Sequence, residues 1–157
     1  MKKFILSSIL IIAASCLFSG CASVKCGATY SEIKQSGALT NQPGKALVII
    51  YANKVGLGRT YAVYANRQAI AELSNDMFYS YYADPGTIVY GCKSGQNPYG
   101  AGVIGLLYDI KECDPLTVEA NQTYYIALRT FPRDHLKIRT SQDGESDIQN
   151  CRSVNAP

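Results

Sequence analysis

The chain has few of the residues from which catalytic and metal sites are usually built. Its 157 residues contain no tryptophan, two methionines and a single histidine, His135. Histidine is the side chain best suited to acid–base work near pH 7 and the commonest metal ligand. The chain also lacks a Gly-x-Ser-x-Gly nucleophile motif. We therefore predict no catalytic residue, no metal site and no cofactor.

The longest apolar segment lies in the first two dozen residues. Lys2 and Lys3 precede an apolar run at 4–14, and Leu17-Phe18-Ser19-Gly20 leads to Cys21. A charged start, a short apolar run and small residues before a cut are typical of a secretory signal. The run is too short for a membrane span, which needs about 20 apolar residues. Because a cysteine follows Ser19-Gly20, the segment resembles a bacterial lipoprotein signal.

The resemblance implies removal of residues 1–20 and attachment of lipid to Cys21. Cys16 is a competing site, and a plain cleaved signal or an uncleaved anchor remain alternatives. Acyl chains such as palmitate hold a protein on a membrane because each buried methylene contributes ~0.8 kcal/mol. Ala22, where inner-membrane lipoproteins of enterobacteria carry Asp, favours the outer membrane. We expect the domain to face the periplasm.

The chain also lacks a large excess of positive or negative charge. Cleavage would remove Lys2 and Lys3, and the formal net charge would fall from +3 to +1. A nearly neutral chain has no general attraction to nucleic acid. Neither DNA nor RNA is an expected partner.

Cysteine usage fits an oxidising compartment. Without Cys16 and Cys21, four cysteines remain, and four allow three pairings that sequence cannot distinguish. We favour Cys92–Cys113 and Cys26–Cys151, the second of which would join the two ends of the domain. Each disulfide would contribute about 3–5 kcal/mol by loop closure.

The remaining chain divides into a tether and a domain. Residues 21–43 have no clear period and are expected to form a lipidated N-terminus and tether, with one helical turn near 31–34. β signals fill 44–157, beginning with an apolar, β-branched run typical of a strand buried on both faces. Hairpins are expected around Asn66-Arg67 and Asn121-Gln122. We predict an all-β fold, an antiparallel β-sandwich of about seven strands, with segments at 46–51, 59–65, 68–73, 77–82, 87–92, 116–120 and 123–130, and 135–140 as a candidate final strand.

Three of these segments resemble a known family. They are 44–51, the tyrosine-rich 79–82 before Asp84-Pro85-Gly86, and 118–126. They are similar to the small bacterial lipoproteins of domain of unknown function 2846. The resemblance covers about residues 44–130 and implies a small sandwich like transthyretin-like or carboxypeptidase-regulatory-like domains. It implies no established activity and transfers no catalytic residue.

Residues 100–105 match the dinucleotide fingerprint, but the flanking strand and helix that the motif needs are missing. We interpret 93–112 as a loop whose apolar tip, 103–108, either folds back on the sandwich or is exposed. Asp109, Glu112 and Asp114 match no calcium loop and are expected to be solvated turn residues.

Tyrosine is the compositional outlier, with 12 copies. Tyr79, Tyr81 and Tyr82 crowd one strand. Aromatic side chains stabilise sheets through cross-strand pairs. The same rings are a candidate stacking platform for sugars or peptide.

A second candidate surface lies on the segment after residue 134. His135, Lys137 and Arg139 alternate with apolar residues, so the three should share one strand face. They form either a solvated face or a site for an anionic glycan, lipid head group or phosphate.

These observations favour a membrane-anchored, non-enzymatic envelope binding module. Its expected partners are membrane lipid, through the anchor, and an envelope protein or cell-wall glycan. A cell-wall hydrolase and a structural subunit of an envelope assembly are the alternatives.

Overall fold

The computed structural model describes residues 27–53, 55, 59–95, 110–130 and 133–154. These ranges contain two helices and eleven strands. In chain order they are α1 (Tyr30–Gln35), β1 (Ala46–Ala52), β2 (Thr60–Ala65), β3 (Gln68–Leu73), β4 (Met77–Ala83), β5 (Gly86–Ile88), β6 (Tyr90–Gly95), β7 (Lys111–Glu112), β8 (Leu116–Val118), β9 (Thr123–Arg129), β10 (His135–Arg139), α2 (Ser141–Ile148) and β11 (Arg152–Ser153).

Two sheets and a short ribbon make up the fold. The main sheet has the strand order β10-β9-β1-β4-β11, the second sheet β3-β2-β6-β7, and the ribbon pairs β5 with β8. Most pairs are antiparallel, but β1 runs parallel to β9 and β11 runs parallel to β4. The predicted all-β, sandwich-like class is confirmed.

The central strand β1 is buried at every position, as its apolar run predicts. Because side chains alternate across a strand, β1 contributes to two cores. Val48 and Ile50 pack between the two sheets, which we call the inner core. Leu47 and Ile49 pack on the opposite side, under the helices, which we call the outer core.

One predicted hairpin is confirmed and the other is wrong. β2 and β3 pair around Asn66 and Arg67, whose φ angles of 49° and 66° suit a tight hairpin turn. Around Asn121, which also has a positive φ of 62°, β8 and β9 do not pair. The turn is present, but it carries the chain from the ribbon into the main sheet, where the Leu47 amide donates to the Gln122 carbonyl.

The predicted tether is wrong for the residues from 27 onward. Thr29 forms a β-bridge with Arg152 and caps α1 through a reciprocal pair of bonds with Glu32. Tyr30 and Ile33 are buried in the outer core. This segment therefore belongs to the folded domain, and the single helical turn expected near 31–34 is confirmed as α1.

The second helix, α2, follows β10, whereas the sequence predicts β10 as the last element of the domain. Thr140 caps α2 by accepting a hydrogen bond from the Asp143 amide. Only Gly144 and Ile148 of this helix are buried. The expected single strand at 87–92 is two strands, because β5 ends at Ile88 and β6 begins at Tyr90.

The predicted disulfides are not formed, and Cys92, Cys113 and Cys151 are free thiols. Cys92 lies opposite Lys111, and the Cys113 amide bonds to the Tyr90 carbonyl, so Cys92 and Cys113 are diagonal neighbours on one sheet face. Diagonal positions lie about 7–8 Å apart, beyond the Cα separation of about 4.4–6.8 Å that a disulfide spans.

The two buried thiols are held in their neutral form. Burial raises the pKa of Cys92 to about 12, and burial does the same for Cys151. Cys26, the predicted partner of Cys151, lies outside the described residues. In the described ranges neither helix is long and apolar enough to cross a membrane.

Candidate functional site

The structure divides the predicted tyrosine platform between the two faces of β4. Tyr79 and Tyr81 pack toward the inner core and stack on each other, with ring centroids 5.7 Å apart and planes 28° apart. The Tyr81 hydroxyl lies 2.5 Å from that of Tyr90, and burial raises the pKa of Tyr81. Tyr82 points to the other side, where its hydroxyl donates to the Thr40 carbonyl at 2.6 Å. The three rings do not form one surface.

The basic face of β10 is present, but its members have different surroundings. The register with β9 places His135, Lys137 and Arg139 on the same side of the sheet as α2. Lys137 is exposed. The His135 Nδ1 atom lies 2.6 Å from the Arg133 carbonyl oxygen.

Arg139 belongs to a polar cluster around Asp147 that sequence reasoning missed. The Asp147 carboxylate accepts from the Tyr51 hydroxyl at 3.0 Å and from Arg129 at 2.9 Å. Arg139 approaches it to 3.7 Å, and the Asn53 amide donates to the Asp147 carbonyl at 3.0 Å. Burial, followed by the bond to Asp147, raises the pKa of Tyr51. The cluster joins α2 to three neighbouring strands, which is a structural role.

A pocket of about 320 Å³ opens between the two helices, over the outer face of the main sheet. We call it the helix pocket. Tyr30, Leu47 and Tyr125 supply buried surface at its base. The remaining lining residues belong to the α1 side, to the start of β9 and to α2, and they are Lys34, Leu39, Asn41, Thr123, Ser141 and Glu145.

A second pocket of about 380 Å³ lies beside it, at the end of β10. We call it the strand pocket. It shares Thr123 and Ser141 with the helix pocket, so the two form one groove. Its other lining residues come from the β8–β9 turn and from β10 with the cap of α2, and they are Glu119, Gln122, Tyr124, Ile138, Arg139 and Thr140.

The charged side chains of the groove are largely compensated. Lys34 pairs with Glu145 between the two helices, and Arg139 pairs with Asp143 at 3.5 Å. Within the helix pocket the Tyr30 and Tyr125 hydroxyls bond to each other at 2.8 Å. Burial and this bond raise the pKa of Tyr30, so the phenol stays neutral. The groove therefore presents hydroxyls, amides and apolar surface with little net charge.

The single histidine lies away from the groove. His135 lies opposite Arg129, whereas Arg139 at the groove lies opposite Tyr125. Four residues of strand separate the two positions, about 13 Å at the usual rise. In the described ranges no group of three histidine, cysteine or acidic side chains could hold a metal ion. Glu112, a candidate turn residue, forms an ion pair with Arg67 at 2.7 Å.

Comparisons with protein-family models, curated proteins and solved structures find no match to this chain. The resemblance of 44–130 to the lipoproteins of domain of unknown function 2846 stays a prediction. Three predicted features lie outside the described residues: the lipidation site Cys21, the glycine-rich segment 100–105 and the apolar loop tip 103–108.

Proposed function

We propose that this chain is a lipid-anchored protein of the bacterial outer membrane that faces the periplasm and binds a partner in the groove without transforming it. The observation that carries the proposal is the groove itself, with its two adjoining pockets of about 320 and 380 Å³. Volumes of about 300–1,000 Å³ are typical of ligand sites.

The chemistry of the groove supports binding rather than reaction. Its cations are paired with carboxylates, as for Lys34 with Glu145, and the Tyr30 and Tyr125 hydroxyls bond to each other. His135, the sole histidine, lies at the opposite end of β10. Such a lining suits a partner that presents hydroxyl, amide or apolar groups to the groove, as a cell-wall glycan or a segment of an envelope protein can.

The anchor would hold the groove close to the membrane. Five residues separate Cys21 from Gly27, whose amide bonds to the Ser153 carbonyl at 3.1 Å. A fully extended chain advances about 3.5 Å per residue, so lipid on Cys21 would keep Gly27 within about 21 Å of the lipidated residue. The partner is therefore expected at or near the membrane surface.

The anchor is tested by fractionating cells that produce Cys21→Ser. We expect the variant in the soluble periplasm and the wild type in the outer membrane. Cys16→Ser is the matched control and should stay in the membrane. Membrane retention of Cys21→Ser would show that another segment or another residue anchors the chain.

The groove is tested by filling it. Ser141 is exposed and lines both pockets, so Ser141→Trp should occlude the groove while leaving the core intact. Gln68→Trp, on exposed β3 of the second sheet, is the matched control. After cross-linking in cells, mass spectrometry should find an envelope partner on wild type and Gln68→Trp that is lost on Ser141→Trp. Turnover of a wall fragment by the purified protein, with no reproducible partner, would contradict the proposal.

A further inference from the structure

β10 forms one edge of the main sheet, since in the described ranges only β9 pairs with it. Such an edge can accept another strand. The free side of β10 also adjoins the strand pocket, which Ile138 and Arg139 help to line.

The pairing of β9 with β1 shows which backbone groups of β10 point outward from the sheet. The Leu47 amide donates to the Gln122 carbonyl at 2.9 Å, so the backbone groups of even-numbered β9 residues point toward β1. Those of odd-numbered residues then point toward β10, because successive residues alternate. Tyr125 is one of these residues, and it lies opposite Arg139.

The odd-numbered residues of β10 therefore bond to β9, and Leu136 and Ile138 direct their backbone groups outward. One contact supports this assignment independently, since the Leu136 carbonyl accepts from the Cys113 thiol at 3.3 Å. No residue in the described ranges accepts a hydrogen bond from the amides of Leu136 and Ile138. Because the Cys113 thiol lies against the outward side of Leu136, the edge offers the amide and the carbonyl of Ile138.

The side chains of β10 differ between its two faces. Ile138 is 49% exposed and is the one exposed large hydrophobic side chain in the described ranges. On the opposite face lie His135, Lys137 and Arg139. A strand added to this edge would place alternate side chains beside Ile138 and beside the basic residues, and opposite charges across strands are favourable.

A second copy of this chain does not fit the edge. Two β10 strands paired antiparallel about Lys137 would place Lys137 opposite its own copy. Like charges directly opposite each other are destabilising. The basic face therefore disfavours self-pairing and favours a partner of the opposite charge.

We propose that the edge of β10 binds an extended segment of another protein, in which acidic residues alternate with apolar ones. The added strand would pair with the amide and the carbonyl of Ile138, set its acidic side chains beside Lys137, and place an apolar side chain against Ile138 at the strand pocket. This inference rests on the proposed binding function and specifies its partner.

The test removes one outward donor and leaves the inward bonds intact. Ile138→Pro deletes the Ile138 amide, and proline is tolerated on an edge strand where that amide faces solvent. Ile138→Val keeps the amide and is the matched control. All variants are made in the full-length lipidated chain, with a photo-cross-linking amino acid at position 135. Mass spectrometry of the adducts formed in cells identifies the captured segment.

We expect an adduct to an alternating acidic and apolar segment in the Ile138→Val background. Loss of one hydrogen bond should reduce that adduct about two- to ten-fold in Ile138→Pro. Lys137→Glu, at an exposed position, should reduce it through charge repulsion. Retained thermal unfolding midpoints show that the variants are folded.

Three results would overturn the edge proposal. They are an adduct that Ile138→Pro and Lys137→Glu leave unchanged, adducts only to other residues of this chain, and capture of a glycan. A partner lost in Ser141→Trp but unaffected by Ile138→Pro would also refute edge pairing, while the proposed function of the groove would stand.

Discussion

Gly144 of α2 packs directly against Tyr125 of the main sheet, and Gly144→Ala tests how that helix is packed. An added Cβ would lie 2.3 Å from Cβ and 2.4 Å from Cγ of Tyr125. These atoms begin the Tyr125 side chain, so the ring cannot avoid the methyl group by turning at its far end. Either α2 or the base of the helix pocket must shift.

Whether Gly144→Ala raises or lowers the free energy of unfolding depends on two opposing effects. In an exposed helix, alanine is favoured over glycine by about 1 kcal/mol. Overpacking a rigid contact costs about 1–3 kcal/mol and sometimes more. Because the contact with Tyr125 is shorter than any ordinary carbon contact, we place the cost at the upper end of this range, about 3 kcal/mol, and expect a net loss of about 2 kcal/mol. For a domain of this size, that lowers Tm by roughly 6–10 °C.

Urea unfolding followed by circular dichroism measures this change, with Gln142→Ala as the matched control. Gln142 is an exposed position in the same helix, and its substitution should alter the free energy of unfolding by less than about 0.5 kcal/mol. A Gly144→Ala protein as stable as wild type, or more stable, would refute the close approach of α2 to β9.

Three further outcomes are expected. Asp147→Asn should lower the free energy of unfolding by about 1–3 kcal/mol, because Asp147 is 24% exposed and faces two arginines. The control is Asp143→Asn, at a 52% exposed position, which should change the free energy of unfolding little. Cys92 and Cys151 should resist iodoacetamide in the native protein and react fully after denaturation without reductant, whereas unreactive cysteines after denaturation would indicate disulfides. The free energy of unfolding should fall between about pH 9 and 12. Burial raises the folded-state pKa of Cys92 and Cys151 to about 12, so in this range the thiols of the unfolded chain lose their protons first. A flat pH dependence of the free energy of unfolding, measured by urea titration, would contradict the burial of these thiols.

The sequence predicts the elements that have a strong local pattern. The apolar run of β1 and the Asn66-Arg67 turn are both found as expected. α2 has no such pattern, since Ile148 is its one large buried apolar side chain. Its position depends on Asp147 and on the room that Gly144 provides, which are tertiary effects.

The candidate site was harder to predict for a related reason. Tyr81 and Tyr82 are adjacent in β4, so strand alternation alone separates them onto opposite faces. The groove, in contrast, combines residues such as Lys34, Thr123 and Ser141, which are far apart in the sequence. No local pattern marks those residues, and only the parallel pairing of β1 with β9 and the packing of the helices bring them together.

The central claim is that the groove holds an envelope partner, and photo-cross-linking in living cells tests it most directly. A photo-cross-linking amino acid replaces exposed Gln122 at the rim of the groove or, as the control, exposed Gln68 on β3. The account predicts one reproducible envelope partner captured from position 122 and none from position 68. Equal capture from both positions, or none from position 122, would contradict it.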